Sequence, residues 1–185
     1  LILSAIMFEH NRSNPLLNTR WLSSGSILRL GLIMLLIRIV LAEQNTGVIG
    51  WLQYVGLQNE QMTHLAWAIL AGIACGIVAS CLTIKPQRLA WPILTSLALM
   101  IVASLLDSQS NYLTRPDQLL VSQFLLGFAS AFFLAPAMLA GIGGVIADPR
   151  NLVSFSVLFG MSQNIGGLLG SAILGTFQTW REKYH

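Results

Sequence analysis

Apolar residues occur in five long runs, and polar residues gather in the short stretches between them. The runs cover approximately 27–48, 65–84, 89–106, 119–146 and 152–177. About 20 helical residues, rising roughly 1.5 Å each, cross the hydrocarbon layer of a bilayer. The third run is near the lower limit of that requirement and the fourth exceeds it. None alternates with period two, which argues against a β-barrel wall. A helix satisfies its own backbone hydrogen bonds where lipid offers none. The pattern therefore predicts an all-α fold, a polytopic membrane helical bundle.

Composition strengthens this reading. Of 185 residues, 55% are hydrophobic and only 9% are Asp, Glu, Lys or Arg, and the mean hydropathy is +0.70. A soluble domain carries about a quarter charged residues, so the chain has too little polar surface to wrap a water-soluble body. Residues 1–8, LILSAIMF, are too short to span and lack the basic start and cleavage site of a signal peptide. They read as the tail of a preceding transmembrane helix. Residues 9–26 then read as a cytoplasmic connection, and 27–185 as a partial C-terminal domain of about five spans within a larger bundle.

Basic residues orient short loops toward the cytoplasm. Arg12, Arg20 and Arg29 flank or enter the first run, 49–64 has no Lys or Arg, and Lys85 and Arg88 bound a four-residue turn. Asp107 to Gln118 has only Arg115, and alternation puts Arg150 inside. The Arg181–Lys183 tail falls outside, against the rule. The expected topology places Gln87 inside and Asn59 outside. Single cysteines there, in the intact protein lacking Cys75 and Cys81, should label from the cytoplasmic and external sides respectively. The opposite labelling would invert the topology.

The net charge of +3 is spread over loops and helix ends, without the basic stripe or aromatic platform of a nucleic-acid binder. Cys75 and Cys81 are about 9 Å apart by helical rise, too far for a mutual disulfide. Three scattered histidines give no metal spacing and no phosphate-cradling loop occurs. No cofactor is expected.

The first run contains the candidate chemistry. Arg38 lies near its centre and Glu43 follows, with Asn45 nearby. A charge at the bilayer centre costs about 2.5–3.5 kcal/mol on insertion scales and requires a partner or water. Arg38 and Glu43 are about 140° apart around an ideal helix, poor partners unless it unwinds. Gly47 and Gly50 allow such a distortion. Structural pairing or snorkelling is one reading of these charges, and a proton or substrate path is the other. Trp51 and Tyr54 fit an aromatic belt at the headgroups. Alternatively they line a solute cavity oriented by Gln53.

Small residues mark packing faces. Ser162, Gly166 and Gly170 recur every fourth residue in the fifth run, beside a second line of Gly167, Ser171 and Gly175. Gly127, Ala131 and Ala135 repeat the device in the fourth. Such lines let helix backbones approach closely. Gln163 and Asn164 are costly to expose to lipid, so at least one should face protein or a wet cavity. Pro136 frees a backbone carbonyl and should bend the fourth span. Gly141, Gly143 and Gly144 suggest a flexible end. Ser154 and Ser156 lack an acid–base system and read as helix packing.

Residues 14–22 (NPLLNTRWL), the first span, Gly127-Phe128 through Phe132-Phe133-Leu134-Ala135-Pro136, and Asn164 through Gly170 with Gly175-Thr176, Arg181 and His185 follow one another in a fixed order. This order resembles the C-terminal half of a major facilitator superfamily drug:proton antiporter of the fourteen-span class. The resemblance implies two six-helix halves that alternate access, with the N-terminal half and terminal helix missing here. It further implies proton-coupled export of small amphipathic or apolar compounds through the inner membrane, without enzyme activity. The lipid bilayer, a small-molecule substrate and protons are the expected partners, with a periplasmic adaptor and outer-membrane channel as candidates. The family's acidic motifs belong to the absent half, so Glu43 is a proton-path candidate by position alone. A structural or assembly subunit, and a carrier of a non-drug solute, are the competing readings.

Overall fold

The computed structural model describes residue 11 and residues 17–54, 56–85, 87–109, 116–146 and 151–183. The segment 1–8 and the turn 147–150 lie outside the described residues. A short helix α1 (Thr19–Leu22) precedes the first long helix, α2 (Gly25–Ala42). The first apolar run does not end near Val48. It continues through a seven-residue π-helical segment, Glu43–Ile49, into α3 (Gly50–Tyr54). Gly56 then turns the chain at φ 96°, a conformation that disfavours a side chain. A 3₁₀ turn, Asn59–Met62, leads into α4 (Thr63–Thr83). Helix α5 (Ala90–Asp107) has Pro92 in its first turn, where an N–H would lack an intrahelical acceptor. A second 3₁₀ turn, Pro116–Leu119, precedes α6 (Leu120–Ile146), and α7 (Asn151–Lys183) follows.

The chain is an all-α bundle, and among the described residues five helices are long and apolar enough to cross a membrane. It is a multi-pass membrane protein. The span containing α6 has half of its apolar window buried, against 22–28% for the other four. Helix α6 is therefore the centre, with α4 and α5 packed on it, while α2 packs mainly on α7. Met34, Met100, Leu126, Phe133 and Phe155 form part of a core joining α2, α5, α6 and α7. A smaller cluster of Val48, Leu52, Met62, Leu65 and Leu119 closes the end near α3. Leu28, Leu32 and Leu36 remain exposed along one side of α2, as do Trp67, Leu70 and Leu82 on α4. Such apolar surfaces suit lipid. Cys75 and Cys81 are free and also exposed.

Close approach of the helices rests on residues without bulk. On α7, a Cβ at Gly166 would lie 2.8 Å from the Leu35 carbonyl oxygen, and one at Gly170 would lie 2.7 Å from that of Ile39. Ser162 donates a 3.3 Å hydrogen bond to the Gly31 carbonyl of α2. These three residues line part of the α2–α7 contact. In the neighbouring line, Ser171 accepts a 3.2 Å hydrogen bond from Thr46, while Gly175 has nothing within 4 Å of its Cβ position.

The α4–α6 contact is closer. Cβ atoms at Gly72 and Gly76 would collide with the carbonyl oxygens of Phe124 and Phe128, and Ala131 lies 3.0 Å from the Gly76 position. From the other side, Gly127 would meet the Ile69 carbonyl oxygen at 2.8 Å. Gly72, Gly76 and Ser80 form a buried line at every fourth position of α4. This line was not singled out from the sequence, although its four-residue spacing is visible there. Ala135 is half-buried and Pro136 fully buried in the uninterrupted α6 helix. Lacking an N–H, Pro136 cannot pair with the Phe132 carbonyl four residues earlier. Gly141 is not loose, since its Cβ position is filled by the Phe155 ring.

Asn18 fastens the start of the bundle. Its side-chain oxygen accepts from the Trp21 N–H at 3.1 Å and caps α1. Its own backbone N–H donates to Ser154 at 2.8 Å, and its side-chain amide donates to Asn151 at 2.9 Å. Ser154 thus holds α1 against the first turns of α7.

Candidate functional site

Arg38 and Glu43 leave α2 toward different neighbours. The stem of Arg38 runs beside Gly166, and its guanidinium lies 3.5 Å from the Cβ position of Gly167 on α7. Glu43, at the first position of the π segment, has Asp107 and Gln123 as its polar neighbours, with Arg38 not among them. Their separation around the helix directs the two charges to opposite packing partners. The seven-residue π segment adds a local departure from regular α geometry, a feature found frequently at functional sites. Glycine at position 47 makes room for Glu43, whose Cγ lies 3.2 Å from the Gly47 Cβ position.

Asp107 is the final residue of α5, and Gln123 lies in the first turn of α6. The Gln123 amide donates to Asp107 Oδ2 at 2.7 Å, and the Ser122 hydroxyl donates to Asp107 Oδ1. Gln44 reaches across from the π segment, donating to the Gln123 backbone carbonyl at 3.3 Å. Three parts of the bundle therefore converge on two carboxylates: the π extension of α2, the end of α5 and the start of α6.

Hydrogen bonding in this cluster is incomplete. Glu43 Oε2 and Gln123 Oε1 are buried acceptors without a partner, and Gln123 is 0% exposed. Unpaired buried acceptors are costly. Two adjacent carboxylates also repel unless a proton or another cation lies between them. The arrangement can hold and release a positive charge. Among the described residues no group of three or more His, Cys, Asp or Glu side chains is placed to hold a metal.

The other sequence candidates lie elsewhere. Trp51 packs against the Val48–Leu52 cluster, whereas Gln53 and Tyr54 are exposed. Asn164 is exposed and its amide donates to the Gly160 carbonyl of its own helix at 2.9 Å, which reduces its cost in lipid. Gln163 is half-buried on the same helix. Asn45 belongs to the π segment, and its side chain lies outside the described residues. Asp107 and Gln123 were missed. Asp107 reads as the beginning of a connection, while Gln123 is a lone amide near the start of a long apolar run.

No family model, curated protein or solved structure matches the chain.

Proposed function

We propose that this chain is part of a proton-coupled secondary transporter that exports small amphipathic or apolar compounds through the inner membrane, in the manner of the drug:proton antiporters it resembles. The Glu43–Asp107 pair is the observation that carries the proposal. A purely structural ion pair would match opposite charges, whereas two carboxylates together create a place for a mobile proton. Gln123 and Ser122 position Asp107, while Gln44 ties the π segment to α6. Glu43 and Asp107 take up and release the proton. The substrate path lies between this domain and the half of the transporter outside this chain, with an adaptor and outer-membrane channel as further partners.

Reconstitution of the intact protein with a pH-sensitive dye inside the vesicles tests the proposal. Addition of a transported amphipathic compound should elicit proton movement in the direction opposite to the compound. Absence of solute-dependent proton flux over a range of imposed gradients would favour a structural subunit instead.

A further inference from the structure

We propose that α6 carries a hinge at Pro136, latched by Ser80 of α4, whose hydroxyl donates to the Phe132 carbonyl when the helix bends. Ser80 is 1% exposed and its hydroxyl has no hydrogen-bond partner. Burial of an unpaired hydroxyl away from water is costly. Other serines in the spans meet that need on their own helix. Ser96 donates to the Ile93 carbonyl at 2.7 Å, Ser130 to that of Gly127 at 2.7 Å and Ser156 to that of Leu152 at 2.9 Å. Ser80 makes no such bond, which leaves the facing helix as the source of an acceptor.

The packing register identifies that acceptor. Cβ positions at Gly72 and Gly76 fall against the carbonyl oxygens of Phe124 and Phe128. Four residues further along both helices, the same line brings Ser80 to Phe132. The Phe132 carbonyl is also the one deprived of its regular donor, because Pro136 has no N–H. A buried donor without an acceptor thus stands in register with an acceptor that has lost its donor. Serine side chains and neighbouring helices are among the means by which a proline is tolerated within a membrane span.

Helix α6 runs uninterrupted through Pro136, and in that form the Ser80 hydroxyl is unbonded. The bond therefore belongs to a second conformation. The proline ring presses on the carbonyl four residues earlier, and relief of that clash tilts the residues after Pro136 away from α4 while turning the Phe132 carbonyl toward Ser80. Bending also withdraws Ala137 and Met138 from the core cluster, which opposes the gain. The hinge is separate from the Glu43–Asp107 pair, so either can fail without the other.

Spin labels at Leu82→Cys of α4 and Leu139→Cys of α6, both exposed positions, test the device in intact protein lacking Cys75 and Cys81. Pulsed electron resonance should resolve two distance populations for this pair, which lies beyond the hinge, and one for the exposed pair Leu70→Cys and Val121→Cys, which lies before it. Ser80→Ala should deplete the longer Leu82–Leu139 population by about threefold or more, the ratio set by loss of one hydrogen bond. Pro136→Ala returns a donor to Phe132 and should leave the shorter population alone, and adding Ser80→Ala to it should change nothing further. If Pro136→Ala does not insert, Ser80→Cys, close in size and a weaker donor, should give an intermediate depletion. A single Leu82–Leu139 population in the otherwise unaltered protein would overturn the hinge. Two populations in a ratio that Ser80→Ala leaves unchanged would overturn the latch, as would an equal effect of Ser80→Ala with and without Pro136.

Discussion

Gly76→Leu should cause the largest loss of folded protein among substitutions in the helix interfaces, with Gly72→Leu close behind. Overpacking a core ordinarily costs about 1–3 kcal/mol. Here the new side chain meets the carbonyl oxygens of Phe128 or Phe124, which cannot rotate away as side chains do. Relief requires α4 and α6 to separate, and dispersion contacts along their interface are then lost. Gly166→Leu and Gly170→Leu should be damaging through the same mechanism at α2–α7. Leu168→Ile conserves volume at a residue that is 73% exposed, and Gly175→Leu enters open space. Those two should remain near wild type. Monodisperse yield and melting temperature of the intact protein in detergent measure the series. Equal values for Gly76→Leu and Leu168→Ile would contradict the close interface.

Glu43→Gln should insert and fold, yet lose transport driven by a proton gradient. Asp107→Asn should do the same, because either substitution leaves a single carboxylate where the proposal requires two. Exchange of substrate across vesicles without a gradient should persist, separating coupling from substrate binding. Dye uptake into everted vesicles, normalised to inserted protein, provides the first readout, and equilibrium exchange provides the second. Wild-type transport with an unchanged pH profile in both variants would remove the pair from the coupling mechanism. Loss of inserted protein alone would assign the cluster a structural role.

The spans were readable because hydrophobic length is a local property, and each of the five runs became a helix of membrane-crossing length. The Ser162–Gly166–Gly170 line could also be read locally, since its spacing defines one helical face. Position 43 alone could not reveal its neighbours. Asp107 and Gln123 are far from it in sequence, and their convergence depends on how α5 and α6 meet the π extension of α2. The same limitation hid the packing partner of Gly72 and Gly76. The continuation to Tyr54 was obscured by the two glycines at 47 and 50, which read as a distortion before an outer loop, whereas the chain passes through π geometry into a further helical turn.

The bundle has two groups: α4 and α5 gathered on α6, and α2 paired with α7. Glu43 belongs to the second group, whereas Asp107 and Gln123 belong to the first. The acidic cluster consequently acts as a clasp across the join. A bound positive charge draws the two groups together, and an empty site sets carboxylate against carboxylate across it. Under the proposed function, occupancy by a proton would be converted into a force between whole helices, delivered where the Gln44 side chain bonds the π segment to the Gln123 backbone.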